Sequence, residues 1–134
     1  MTITQKINIS DDEFGEYYAS YISLSNGLPL DDQLNAQKNE LLTILDALSE
    51  EEAEYRYEVG KWSIKEVLGH LIDTERIFCY RALAIARGES INLPGYNQDV
   101  YVTNAGFNSW PIANLKAQYI TARESTLQVF SGFD

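Results

Sequence analysis

The sequence has little of several residues on which common functional sites depend. It holds one histidine, one cysteine and three prolines among 134 residues. The lone Cys79 excludes an internal disulfide, and its place on an apolar helical stripe predicts an inert structural thiol. The lone His70 excludes a zinc site built from paired histidines of this sequence. No G-x-S-x-G nucleophile elbow and no glycine-rich phosphate loop occurs, so neither motif suggests a function.

Basic residues and long apolar runs are scarce as well. Ten Lys and Arg oppose twenty Asp and Glu, a formal net charge of −10. Because that field repels a phosphate backbone, nucleic acid is excluded as an expected partner. No apolar run approaches the ~20 residues of a membrane span. The first ten residues, MTITQKINIS, lack the apolar region of a signal peptide. These absences predict a cytoplasmic protein with no membrane partner.

The residues that are present predict one all-α domain, 1–134. Apolar residues make up 45% and charged residues 22% of the chain, as in ordinary soluble domains. Apolar positions recur with helical spacing, and no strand-like alternation occurs. The expected helices lie at about 11–25, 31–48, 62–88, 97–103 and 111–132.

The helix at 62–88 carries the clearest boundary signals. Ser63, with Glu66 three residues later, has the spacing of a capping box. Arg87 and Gly88 suit a helix end, where the dipole favours a cation and glycine takes the left-handed conformation. The apolar residues between these signals form one broad stripe that faces a core. Glu75 lies in the middle of this stripe.

A buried ion pair is predicted between Glu75 and Arg123. Arg123 is the charged residue at the centre of the apolar stripe of the last helix, as Glu75 is for the 62–88 helix. An isolated buried charge is costly, so the two stripes most simply face each other and pair. The alternative is that each side chain extends to water.

A row of tyrosines, Tyr17, Tyr18 and Tyr21, follows helical spacing in the 11–25 helix. At this spacing aromatic side chains usually pack against a core, and a ligand platform is the less common alternative. The sequence therefore predicts a packed aromatic face.

Two stretches between helices have structural interpretations. The acidic run at 50–52, within a connection at 49–61, predicts a solvated helix end rather than a cation site. The segment 89–110 is long and rich in aromatic residues, which argues against disorder. It predicts a packed lid across one end of the bundle.

His70 has two interpretations from the residues alone. It is either a hydrogen-bonded structural histidine at a helix edge or a metal ligand. Glu66 and Asp73, each within one helical turn of His70, are possible oxygen ligands. A metal site needs three or four ligands, so this cluster favours the structural interpretation.

Three stretches resemble the DinB-like (damage-inducible) family. They read KWSIKEVLGHLIDTERIFCYRALAIARGE at 61–89, LPGYNQDVYV at 93–102 and AREST at 122–126. The run WS-x-x-E-x-x-x-H-x-x-D-x-E is the most specific part, and the resemblance covers roughly 31–134. It implies an up-down four-helix bundle.

The resemblance also implies a divalent metal, Ni²⁺ or Zn²⁺. The histidine of the specific run, here His70, is the first metal ligand in that family. The other two ligands usually come from an H-x-x-x-H pair on the last bundle helix. No such pair occurs in this sequence, which predicts that the last bundle helix is missing and that metal binding is weak or absent.

Two functions are considered, the first implied by the resemblance and the second favoured by the absence of the H-x-x-x-H pair. One is a metal-dependent hydrolase or thiol transferase acting on a small molecule, with the pocket mouth shaped by Tyr96, Asn97, Gln98 and Asp99. The other is a non-catalytic helical module that binds a small ligand or a second copy of itself.

A bundle that lacks one helix is expected to expose an apolar groove. Soluble monomers rarely expose contiguous apolar patches larger than a few hundred Å². The N-terminal helix at 11–25, a second copy of the chain or a further C-terminal helix could cover this groove, and we expect the second copy, in a homodimer. The predicted lining is Leu68, Leu71, Ile72, Tyr119, Ala122 and Leu127.

Overall fold

The computed structural model describes residues 9–25 and 27–133, and every regular secondary-structure element in this part of the chain is a helix. The all-α prediction is confirmed. No helix within these residues is both long and apolar enough to cross a membrane. The α-helices are α1 (Ala19–Leu24), α2 (Leu30–Asp46), α3 (Glu50–Ala53), α4 (Ile64–Ala86), α5 (Gln98–Ala105) and α6 (Ile112–Ser131).

Helix α4 begins and ends where the sequence predicts. The backbone N–H of Ser63 donates to Glu66 Oε2 at 2.8 Å, and the Glu66 N–H donates to Ser63 Oγ at 3.1 Å. This is the predicted capping box. At the other end Gly88 takes φ +84°, and the Glu89 N–H donates to the Ala84 carbonyl at 2.9 Å. Such 6→1 bonding across a left-handed glycine is a Schellman motif.

Helix α6 organises the bundle, because it packs against both α4 and α2. The apolar stripes of these helices meet in one core. That core also takes in side chains from α5 and from the 3-10 turn Phe107–Ser109. Its buried apolar members are Leu45, Leu68, Ile72, Val102, Phe107, Leu115, Tyr119 and Ala122.

The segment 89–110 forms a packed cover on α4 that contains the predicted short helix. Asn97 caps α5 by accepting from the N–H groups of Asp99 and Val100 at 3.0 and 3.2 Å. Beyond α5 the Phe107 ring is buried over Gly69 of α4. A Cβ at position 69 would overlap that ring, so glycine permits the close approach of the segment to α4.

The prediction for the N-terminal helix is wrong in extent and in packing. Helical structure comprises a 3-10 turn, Glu16–Tyr18, followed by the six residues of α1. The Glu13 N–H donates to the Ser10 carbonyl at 3.0 Å, which closes a separate turn before this helical structure. Tyr17 is 73% exposed, and Tyr18 and Tyr21 are also exposed. These rings contact one another, with centroids 5.1 Å (17–18) and 5.9 Å (17–21) apart.

The acidic run at 50–52 is also more than a solvated helix end. It forms α3, whose capping box joins Ser49 and Glu52. Lys65 is 2% exposed, and its Nζ lies 2.8 Å from Glu50 and 3.1 Å from Glu54. The hydrogen bond to Glu50 is the main cause that raises the pKa of Lys65. Glu50 also accepts from the backbone N–H of Ile112, at 2.8 Å, so these carboxylates connect α3 to α4 and α6.

Candidate functional site

An open apolar groove runs between α2 and α4, with α6 as its floor, and has a volume of about 520 Å³. Leu30, Leu34 and Ile44 line it from α2, while Leu71 and Phe78 line it from α4. Ile44 is 60% exposed and Phe78 is 55% exposed. Large apolar side chains with this exposure form the rim of a groove rather than part of a closed core.

The groove lining differs from the predicted one. Leu68, Ile72 and Ala122 are buried in the core, because α4 and α6 turn those positions toward each other. Leu71 and Tyr119 do line the groove. The thiol of Cys79 was expected to be buried, but it is half-buried and lines the groove as well.

The floor of the groove holds the Glu75 and Arg123 side chains in a bidentate pair. Arg123 Nε donates to Glu75 Oε1 at 2.6 Å, and Arg123 Nη2 donates to Oε2 at 2.9 Å. Arg123 Nη1 donates to the Leu34 carbonyl at 2.6 Å. Burial, the largest single influence, lowers the pKa of Arg123, which is 7% exposed, but the hydrogen bonds to Glu75 together with the charges of Glu75 and Tyr119 outweigh burial and raise the pKa of the guanidinium. The floor is therefore polar yet satisfied within the protein.

His70 lies at the edge of α4, half-buried against Trp62, with the two ring centroids 4.9 Å apart. Its Nδ1 lies 3.4 Å from Thr74 Oγ1, and this hydroxyl lies 2.8 Å from the hydroxyl of Tyr96. A chain of polar atoms thus connects the imidazole to the segment that follows α4. His70 does not line the apolar groove.

The carboxylates near His70 do not complete a metal site. Glu66 accepts from Arg56 at 2.5 and 3.1 Å and from Asn108 at 3.1 Å. Burial, the largest single influence, raises the pKa of Glu66, but the hydrogen bonds and the positive charge of Arg56, together with the hydrogen bonds to Ser63, outweigh burial and lower the pKa. Burial raises the pKa of Asp73. Across the described ranges, no three His, Cys, Asp or Glu side chains are grouped to hold a metal ion.

The four residues expected to shape a pocket mouth take separate positions. Tyr96 lines a cleft beside α4, whereas Gln98 and Asp99 line another hollow together with Trp62. Asn97 caps α5. Sequence analysis missed the contribution of Trp62 to this region, although its place directly before the Ser63 cap puts its ring near the next turn of α4.

Comparison with known proteins gives one match. The model of the DinB superfamily matches residues 33–134. No curated protein and no solved structure matches the chain.

Proposed function

This chain belongs to the DinB superfamily, and we propose that it is a helical binding protein whose groove holds a small, largely apolar molecule. The proposal depends on one observation, the apolar groove of about 520 Å³ between α2 and α4. Small-molecule sites in proteins are usually concave, mostly apolar and ~300–1,000 Å³ in volume. The groove meets all three conditions.

The polar groups that line the groove limit which kind of ligand can bind there. The Glu75–Arg123 pair is satisfied by its own hydrogen bonds, so a ligand need not supply a partner for either charge. Glu40 and Gln37 lie on the α2 side. With a net charge of −10 on the chain, an anionic head group is disfavoured. A neutral apolar molecule is the best match.

We expect the neutral dye N-phenyl-1-naphthylamine to bind saturably and to gain fluorescence. Ile44→Glu places a charge on the groove rim and should weaken the affinity roughly tenfold, because burying an unpaired carboxylate costs more than ~1.4 kcal/mol. Val59→Glu is the matched control, since Val59 is 98% exposed and lies outside the groove. Equal affinities of the two variants would contradict the proposal.

A second candidate function is self-association through the same groove. The observation that favours it is the exposed apolar surface of α1, where Tyr21 and Leu24 have no cover within the described chain. In a dimer, this surface of one copy would fill the groove of the other. Light scattering at micromolar concentration separates the two functions. A two-chain mass that Ile44→Glu reduces to one chain, with no dye binding, supports the homodimer. A one-chain mass with saturable dye binding supports the small ligand.

The metal-dependent hydrolase or thiol transferase implied by the resemblance lacks a matching donor set in the described residues. Within these ranges His70 supplies one imidazole, and the carboxylate of Glu66 is already held by Arg56. A tetrahedral Zn²⁺ or Ni²⁺ site needs further nitrogen, sulfur or oxygen ligands. We therefore derive no catalytic step through a metal.

Metal titration tests whether the described residues fail to form the metal site that the resemblance implies. We expect Ni²⁺ and Zn²⁺ to bind this chain weakly, and His70→Ala to remove the little binding that is present. Isothermal titration calorimetry and metal analysis after dialysis against a chelator give the result. One equivalent of metal retained through that dialysis would contradict the expectation and restore the enzyme hypothesis.

A further inference from the structure

A second cleft, separate from the groove, lies between α4 and the segment 93–101, with a volume of about 360 Å³. Arg76 and Arg81 line it, together with Tyr80, Tyr96 and Tyr101. Among the described residues, no acidic side chain lines this cleft. The chain as a whole is acidic, with twenty acidic and ten basic residues. The two arginines therefore make this aromatic cleft a locally positive region on a negative protein.

Arg81 is held in a fixed position within the cleft. Its Nη2 donates to the Pro94 carbonyl at 2.8 Å. Its guanidinium carbon lies 5.5 Å from the centre of the Phe78 ring and 5.9 Å from that of Tyr96. Guanidinium groups stack on aromatic faces in this range. Because one bond and two rings already order the side chain, a ligand would not have to order it.

Arg76 supplies the second cation. Its Nη2 donates to Gln118 Oε1 at 3.0 Å, which orients the guanidinium through a neutral partner. The positive charge of Arg76 lowers the pKa of Asp73, one turn earlier on α4, against the larger effect of burial. Asp73 does not line the cleft. Arg76 therefore keeps donors and positive charge for a ligand.

We propose that this cleft binds a small planar organic anion, an oxyanion attached to an aromatic body. A guanidinium presents parallel N–H donors that match a carboxylate or phosphate. The rings of Tyr96 and Tyr101 pack against each other with centroids 5.1 Å apart and both line the cleft, so together they form an aromatic wall for a planar body. The Tyr96 hydroxyl is paired with Thr74, so the hydroxyls available to a ligand are those of Tyr80 and Tyr101, both on exposed side chains.

Four probes test the proposed chemistry by NMR shift mapping on the full chain. Benzoate combines the anion with the planar body, cyclohexanecarboxylate keeps only the anion, benzamide keeps only the planar body, and inorganic phosphate replaces the carboxylate source. We expect benzoate to bind tightest and to shift the Gly95 amide and the Arg81 Nε–H signals. Equal binding of benzoate and benzamide would overturn the proposal, as would shifts confined to other regions. Phosphate binding as tight as that of benzoate would overturn the need for a planar body.

Matched variants locate the site. Arg81→Gln and Arg76→Gln should each weaken benzoate binding roughly tenfold, the usual loss for a charge-assisted hydrogen bond. Arg87→Gln is the control, because Arg87, the C-cap of α4, carries the same charge but does not line the cleft. Equal losses in all three variants would reduce the effect to net charge and overturn the proposal.

Two further variants keep the test decisive if Arg81→Gln fails to fold. Tyr80 is 60% exposed, so Tyr80→Ala should fold normally and still weaken benzoate binding. Unchanged affinity in both Tyr80→Ala and Arg76→Gln would overturn the proposal. Ile44→Glu, in the groove, should leave benzoate binding unchanged, which separates this site from the proposed function.

Discussion

Replacing Arg123 by Leu should lower the free energy of unfolding by about 3–5 kcal/mol, the usual cost of leaving one member of a buried ion pair unpaired. The substitution removes both hydrogen bonds to Glu75 and the bond to the Leu34 carbonyl. The Glu75 carboxylate, with only 13% of its side chain exposed, would then lie in the groove floor without its cation. Urea denaturation followed by circular dichroism measures the loss.

Two controls separate burial from charge. Lys38→Met removes a cation paired with Glu124, whose side chain is 48% exposed, and should cost less than ~1 kcal/mol. The double variant Glu75→Leu with Arg123→Leu should lose less than Arg123→Leu alone, since no buried charge is then left unpaired. A loss below ~1 kcal/mol for Arg123→Leu would show that water already solvates the pair.

Replacing Gly69 by Ala should also destabilise the protein, although alanine is the better helix former by ~1 kcal/mol. The new Cβ would overlap three carbons of the Phe107 ring, which is buried. Forcing extra atoms into a packed core typically costs ~1–3 kcal/mol. We therefore expect a clear fall in the denaturation midpoint.

The cause of this loss can be isolated. Gly15→Ala is the matched control, because no atom lies within 4 Å of a Cβ built at that position, and it should be close to neutral. In a Phe107→Ala background the overlap is gone, so adding Gly69→Ala should become neutral or stabilising. Equal costs of Gly69→Ala in the two backgrounds would show that Phe107 is not the obstacle.

Local rules made the boundaries of α4 predictable from sequence. Ser63 and Glu66 cap each other, and Gly88 takes the left-handed conformation. These features depend on residues within a few positions of one another, so the sequence alone indicates them. The positions of Glu75 and Arg123 were also suggestive. A single charge in the middle of each apolar stripe leaves few partners, and the structure places the two side chains in contact.

Longer-range packing could not be predicted in the same way. The helical spacing of Tyr17 and Tyr21 indicates that their rings share a face, but not whether the bundle offers a surface to cover that face. The partners of Lys65 were hidden for the same reason, since Glu50 and Glu54 lie in a stretch that looks like a loop. On α4, residues that line the groove alternate with residues that lie in the core. A small rotation of the helix about its axis therefore decides whether Leu68 or Leu71 lies in the core.

The candidate site was only partly accessible from sequence. His70 was identified because it is the single histidine, and Thr74 is its neighbour one turn later on α4. The link onward to Tyr96 depends on how the segment after α4 folds back, which no local pattern encodes. The cleft arginines Arg76 and Arg81 were not predicted as site residues for the same reason.

The central claim, that the groove is a ligand site, is tested most directly through Cys79, which is the single cysteine and lines the groove. The measurement is the rate at which N-ethylmaleimide alkylates this thiol as N-phenyl-1-naphthylamine is added. We predict that the rate falls in proportion to dye bound, that Val59→Glu retains this protection, and that Ile44→Glu needs roughly tenfold more dye for the same protection. An alkylation rate that stays constant while the dye saturates the protein would place the dye elsewhere and contradict the account.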